Sequence, residues 1–186
     1  KIVEQDHILE KQRKPVILRE IAGLSINQPI ALAVQYGALA CIWRESIYHY
    51  LNEGESATPV TGLMQLDTDQ KPLIDHWIKQ YGIEFWLEKL LKNAYLPIMH
   101  ILWCHGLALE SHAQNMVLIH KDGLPVKAAL KDFHDGIRFS RHLLRNPELL
   151  PELQDAPKEH AKINPNSFLE THAANELRDF TQDALW

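Results

Sequence analysis

At 186 residues, with 46% hydrophobic and 23% charged side chains, the chain is long enough for one ordinary domain with a real core. This balance excludes a disordered tail, a collagen-like chain and a coiled-coil rod. The net charge is −5, from 19 basic and 24 acidic residues, and no basic stripe is visible, so a general nucleic-acid binder is excluded too. The two cysteines, Cys41 and Cys104, are too few for a disulfide framework or a four-cysteine cluster. Both lie in apolar runs and are expected as buried free thiols in a reducing compartment.

No run approaches the ~18 uninterrupted apolar residues of a membrane span. The N-terminal stretch, Lys1 to Lys14, is charged and has no apolar core of a signal peptide. The chain starts with Lys, and Ser167 to Trp186 reads as a helix without a stop signal. A piece of a longer cytoplasmic protein is therefore expected.

In chain order, the apolar run from Val16 to Leu18, between Pro15 and Arg19-Glu20, fits either an edge strand or a helix start. Pro29 opens a helical pattern through Ile30, Leu32, Ala33, Tyr36, Ala40, Trp43, Ile47 and Tyr50, which predicts a helix ending near Leu51. Asn52 to Pro59 reads as a polar loop. Asp69 is the expected N-cap of a helix with Pro72 in its first turn, a face of Leu73, Ile74, Trp77, Ile78 and Tyr81, and a stop at Gly82. Glu84 to Leu109 reads as one long helix that Pro97 must kink or break, with the Lys/Glu pairs of Glu84 to Lys92 on a solvated face. Asn115 to Lys121 and Val126 to Asp132 then read as two strands joined at Asp122-Gly123, a strong hairpin signal. Four prolines between Pro147 and Pro165 mark a loop-like stretch before the final helix. The fold class is thus α+β, mostly helical with a β-hairpin or small antiparallel sheet.

The densest polar cluster brackets the hairpin, over residues 105–138. If Glu110 to Gln114 is extended, Glu110, His112 and Gln114 point the same way. A two-residue turn would set Asn115 opposite Leu130 and Asp132 opposite Ala113, so Asn115 and Asp132 converge at the hairpin's open end. Two carboxylates, an amide and an imidazole meeting there suit an oxygen-rich Mg²⁺ site. Protein kinases hold Mg²⁺ with an Asn and a following Asp-Phe in the same order, although their other signatures are missing here. Each residue also has a plainer reading: His105-Gly106 as a helix end, Glu110 and His112 as a satisfied pair, Asp132 as a cap, Asp135-Gly136 as a turn. A zinc site is the metal alternative, but Glu110-Ser111-His112 and His134-Asp135 do not have zinc-ligand spacing. His7, His49, His76, His160 and His172 are expected to be surface or packing residues.

The string His105-Gly106, Glu110, His112, Gln114-Asn115, then the hairpin with Asp122-Gly123 and Pro125, then Lys131-Asp132-Phe133 and Gly136, resembles the aerobactin-synthetase-like family of siderophore synthetases that act independently of nonribosomal peptide synthetases. Val16-Ile17-Leu18-Arg19-Glu20 is similar to a segment upstream of that motif. The resemblance covers about residues 14–145, and the final helix continues it. It implies a fingers-palm-thumb fold, of which residues 1–186 are a partial C-terminal palm and thumb region. It also implies adenylation of a carboxylate of citrate or a related acid with Mg-ATP, followed by attack of an amine or hydroxyl to give an amide or ester. Glu110, Asn115 and Asp132 would hold Mg²⁺ and the phosphates, Gln114 would contact the phosphates, and His112 the carboxylate or the α-phosphate. Family members are often homodimers. Lys131 stands where the family usually has Arg, and the family's basic phosphate-gripping loop has no counterpart in this chain, which on its own is expected to be inactive.

Two other readings compete. A ferric-siderophore reductase would need four closely placed cysteines for a [2Fe–2S] cluster, and none follows Cys104. A helical binding module without chemistry would tolerate replacement of Glu110, His112 and Asp132.

Overall fold

The computed structural model describes residues 2–25, 40–133, 136–150, 170–171 and 173–185. In chain order these form helix α1 (Ile2–Gln5), strands β1 (Val16–Ile17), β2 (Glu20–Ser25), β3 (Ala40–Arg44) and β4 (Glu55–Pro59), and helices α2 (Asp75–Tyr81), α3 (Ile83–Leu90) and α4 (Leu96–His105). Strands β5 (Leu107–Leu109), β6 (Met116–Lys121), β7 (Leu124–Leu130) and β8 (Ile137–Phe139) follow, and helix α5 (Ala174–Leu185) closes the chain. The four-stranded sheet has the order β1-β7-β6-β4. Strand β1 runs parallel to β7, and the other neighbours are antiparallel. Two separate ribbons, β2-β3 and β5-β8, flank it.

Alternate residues of the central strands point to opposite faces of the sheet, and both faces are packed. Met116, Leu118, Ala128 and Leu130 share a core with Trp77, Trp86, Ala94, Ile98 and Ile101 of the helices. Ile119 and Ala129 face the other way, onto Val16, Leu18, Ile47 and Tyr50. Leu177 of α5 packs on Leu102 and Ala108, and α5 is the expected final helix with a later start, since Glu170 is bridged to Phe139 instead.

Several expectations need correction. Ala40–Arg44 is a strand, not the end of a helix, and Ile47–Tyr50 is a single 3₁₀ turn. Pairing with β2 decides this, because a short apolar run has no helix-specific period of its own. The positions from Pro29 to Tyr36 lie outside the described residues. Glu55–Pro59 is an edge strand rather than a loop, because β6 supplies its partner. Asp69 does not cap α2, whose preceding residue is Ile74. Asp67 instead organises the loop, its Oδ1 accepting from the backbone of Asp69 and Lys71 at 2.8 and 3.0 Å. Gly82 does stop α2, at φ 79°. Pro97 interrupts the α-helical pattern as expected: the turn directly before it is π-helical, with the Leu96 N–H on the Leu91 carbonyl, and α4 begins there. A π-helical turn over Leu91–Tyr95 joins α4 to α3. The helix then ends at Gly106, left-handed at φ 73°, so Leu107–Leu109 is a strand rather than the expected last helical turn. Cys41 is exposed and Cys104 half-buried, so neither is the expected buried thiol.

The hairpin forms as expected at Asp122-Gly123, both with positive φ, which is the two-residue turn that matches strand twist. Its register differs. His120 faces Pro125, but Ile119 faces Lys127, so Val126 is an unpaired bulge residue. Beyond it the pairing moves by one: Met116 faces Leu130, and the Lys131 N–H donates to the Asn115 carbonyl at 3.1 Å.

Away from the hairpin, the N-terminal segment is fixed to α4 by one carboxylate. Asp6 is buried, and its Oδ1 accepts from the Ile8 and Leu9 N–H groups at 2.7 Å each. Its Oδ2 meets His100 Nε2 at 2.7 Å and also His105 Nε2. Burial alone would raise the Asp6 carboxyl; the hydrogen bonds from Leu9, His105, His100 and Ile8 outweigh it and hold the group well below its ordinary 3.8. The unfolded chain therefore takes up a proton first as pH falls, and stability contributed by Asp6 is present above pH 4 and lost progressively below it. Thermal unfolding between pH 7 and pH 3 is expected to show this decline, and Asp6→Asn is expected to flatten it while lowering Tm at pH 7. An unchanged slope in that variant would remove Asp6 as its source.

Candidate functional site

The motif residues gather where β5 leaves α4 and where the hairpin opens. Strand β5 pairs with β8, and the Glu110 N–H continues that pairing onto the Gly136 carbonyl at 2.8 Å. Glu110 and His112 are half-buried, and Ser111 between them is buried. The chain then tightens into a 3₁₀ turn over Ala113–Asn115, closed by the Asn115 N–H on the His112 carbonyl at 2.8 Å. The segment is thus extended only as far as His112. Gln114 does not share a face with Glu110 and His112 by strand alternation; it lies exposed on the turn.

Asn115 is the fixed point of the cluster. It is 5% exposed, and its Nδ2 donates to the Glu110 carbonyl at 3.0 Å and lies 3.4 Å from His112 Nε2. These contacts leave the amide oxygen as the group it offers a ligand. Asp132 stands just past the end of β7 with φ 67°, a left-handed conformation that Asp and Asn tolerate better than other side chains. A Cβ on Gly136 would lie 2.4 Å from the Asp132 carbonyl oxygen and 3.6 Å from Glu110 Cβ, so only glycine lets this return strand close over the two acidic residues. The structure therefore brings Glu110, His112 and Asn115 together, sets Asp132 next to Lys131, whose N–H bonds the Asn115 carbonyl, and leaves Gln114 exposed on the turn.

One side chain at this site was not anticipated from the sequence. Arg44, at the end of β3, reaches Asp132 Oδ1 at 3.5 Å and Glu20 Oε1 at 2.9 Å. The signal for it is a repeated dipeptide. Arg19-Glu20 and Arg44-Glu45 sit side by side on β2-β3 and pair crosswise, Arg19 with Glu45 and Arg44 with Glu20.

Carboxylate and amide oxygens from Glu110, Asn115 and Asp132 are hard donors, the set that Mg²⁺ takes through one or two carboxylates while a nucleotide's phosphates complete its shell. The other cluster with metal-ligand chemistry among the described residues is Asp6, His100 and His105, whose ligand atoms lie within 4.8 Å of one another. There the carboxylate oxygens already accept four hydrogen bonds.

Residues 84–186 match the family described as ferric iron reductase FhuF-like transporter, and residues 1–65 match the IucA / IucC family. The chain belongs to the aerobactin-synthetase-like siderophore synthetases, with an FhuF-like second half. Among its relatives is the 2-[(L-alanin-3-ylcarbamoyl)methyl]-3-(2-aminoethylcarbamoyl)-2-hydroxypropanoate synthase of Staphylococcus aureus, 46% identical over all of this chain and 31% of that protein. Another is the citryl-spermidine/3,4-dihydroxybenzoyl-citryl-spermidine:spermidine ligase of Bacillus anthracis, 42% identical over all of this chain and 30% of that protein. The crystal structure of the petrobactin biosynthesis protein AsbB from Bacillus anthracis superposes with a TM-score of 0.84 at 42% identity, covering 99% of this chain and 31% of that one. The chain thus spans about a third of the length of these relatives. No helix among the described residues is long and apolar enough to cross a membrane.

Proposed function

We propose that residues 1–186 are the C-terminal palm and thumb portion of an ATP-dependent synthetase, with the motif core at 105–138. The full-length enzyme would adenylate a carboxylate of citrate or a related acid and pass the acyl group to an amine or hydroxyl. The substrate classes follow the relatives' names, in which citrate-derived acids are joined to amines such as spermidine. We place the reaction in the cytoplasm.

The observation that carries this reading is the fixation of Asn115 by the Glu110 carbonyl and the His112 ring, with its own carbonyl held by the N–H of Lys131, the residue before Asp132. Glu110, Asn115 and Asp132 would hold Mg²⁺, which supplies charge neutralisation at the phosphates when bound. Gln114, exposed on its turn, is free to swing onto a phosphate oxygen. His112, anchored through Asn115, would donate to the acid's carboxylate or to the α-phosphate. Such chemistry asks the protein for positioning and charge stabilisation rather than for a nucleophile.

The test is acid-dependent pyrophosphate release by the full-length protein, with Mg-ATP, citrate and hydroxylamine as the acceptor. Release that requires the acid is expected. Asn115→Ala is expected to reduce it at least 100-fold, since it removes both the amide ligand and the tie to Glu110 and His112. The FhuF-like match gives a reductase reading some weight. It would need a [2Fe–2S] cluster on four cysteines, and this sequence holds only Cys41, exposed, and Cys104, half-buried. Absence of release with every carboxylate tried would overturn the synthetase reading.

A further inference from the structure

We propose that Arg44 is an oxyanion-gripping residue of the same site, taking an oxygen of the acid's carboxylate or of the α-phosphate; this rests on the synthetase reading above. Its surroundings are those of an incompletely used cation. The β2-β3 register sets Arg44 opposite Glu20, and the same Nη2 that bonds Glu20 also faces Asp132. Its Nε is buried and has no hydrogen-bond partner among the described residues. A guanidinium offers five N–H donors in a fixed fork, and a buried one left unpaired is a standing cost.

Arg19, in the neighbouring dipeptide, provides the contrast. It spends both Nε and Nη2 on Glu45, which Tyr50 holds from the other side with a 2.6 Å hydrogen bond. Arg19 is a surface clasp, with a side chain 73% exposed. Arg44 is only 27% exposed and points into the motif cluster. Glu20 fixes one edge of it, and the same Nη2 also reaches Asp132 of the motif.

Lys131 stands before the motif Asp, and a lysine cannot make the two-pronged contact that an arginine makes with a carboxylate or phosphate. Arg44 supplies that fork from another strand. Its partners are Glu20 at 2.9 Å and, more loosely, Asp132 at 3.5 Å. Were Asp132 to hold a metal-nucleotide complex, Arg44 would remain tied to Glu20 and could offer its remaining N–H groups to an oxyanion beside it. Arg44 thus acts by binding and charge placement, with no proton or bond exchanged.

The experiment uses the full-length protein with Arg44→Lys and Arg44→Ala. Two titrations are made by calorimetry, one with citrate and one with magnesium pyrophosphate, and KM and kcat are measured for acid-dependent pyrophosphate release. Arg44→Ala is expected to weaken at least one of the two ligands by about 10- to 100-fold, the loss of a charge-assisted hydrogen bond. Arg44→Lys is expected to recover only part of it, and added guanidinium to restore part of the Arg44→Ala rate. Weakened citrate identifies the acid's carboxylate as the bound oxyanion; weakened pyrophosphate identifies the phosphate. If both titrations and both KM values stay within twofold of wild type while Tm falls, Arg44 is a pin between Glu20 and Asp132 and the proposal is overturned. If the wild type binds both ligands but releases no pyrophosphate, the synthetase reading fails while the titrations still decide the role of Arg44.

Discussion

Replacing Asp132 by asparagine is expected to lower acid-dependent pyrophosphate release of the full-length protein by about 100- to 1,000-fold, the usual scale for removing one preorganised electrostatic group. The substitution is chosen to isolate charge. Asparagine keeps the shape of the side chain and tolerates the left-handed φ of 67° that this position demands. The Asp132 side chain is 46% exposed, and its ion pair with Arg44 at 3.5 Å is a loose one, so stability should move by no more than about 0.5 kcal/mol. The discriminating result is therefore a collapse of activity at nearly constant Tm. A variant retaining more than a third of wild-type activity would show that the Asp132 carboxylate holds neither metal nor phosphate. A parallel fall in Tm and activity would assign it to folding.

The largest loss of stability is expected at the tip of the hairpin, with Gly123→Ala. Gly123 has φ 84°, and a Cβ there would lie 2.1 Å from Trp77 Cδ1. The turn has no slack to relieve that overlap. Trp86 Nε1 donates to the Gly123 carbonyl at 2.8 Å, the Gly123 N–H donates to His120 Nδ1 at 3.1 Å, and the Tyr81 hydroxyl donates to the Asp122 carbonyl at 2.9 Å. Burial lowers the His120 pKa and favours its neutral form, and with Nδ1 accepting, its Nε2–H is the donor to Thr58 Oγ1 at 3.0 Å. A methyl group thus meets left-handed strain of about 1 kcal/mol, overpacking of about 1–3 kcal/mol and a displaced tryptophan hydrogen bond of about 1 kcal/mol. Together these give a loss of about 3–5 kcal/mol and a Tm lower by about 10 °C. Gly54→Ala is the control. Its φ is 78°, but its Cβ would meet only the flexible Lys121 side chain at 3.2 Å. It should lose about 1 kcal/mol, the backbone strain alone. Equal losses in the two variants would mean that the tryptophan contact contributes nothing.

The features legible in the sequence were those written locally. Asp122-Gly123 between two apolar runs specified the hairpin, Gly82 the end of α2, and the periodic segments α2, α3 and α4, whereas the same period from Pro29 to Tyr50 predicted a helix where Ala40–Arg44 is a strand. The string from His105 to Asn115 and the later Asp132 located the cluster, because the chemistry of such a site is carried by a few adjacent residues. What escaped was fixed by partners far away in the chain. Ala40–Arg44 and Glu55–Pro59 are too short, and in the second case too polar, to declare themselves as strands; their neighbours β2 and β6 make them so. The tie of Asp6 to His100 and His105 spans 94 and 99 residues, and no local pattern announces it. The observed register differs by one from that of a simple two-residue hairpin because a bulge leaves no composition signal in a run such as Leu124–Leu130.

That bulge also governs how the hairpin can change over evolutionary time. Deleting Val126 would restore a simple ladder in which His120 still faces Pro125 and Ile119 still faces Lys127, so every residue of β7 beyond it would keep its partner and its face. A one-residue deletion in β6 has no such spare residue to absorb it and would carry side chains to the opposite face. Single-residue deletions among related chains are therefore expected at the bulge rather than in β6. An engineer who wishes to graft a loop onto this protein would do better at the connection between β3 and β4 than anywhere on the ribbon that carries the site.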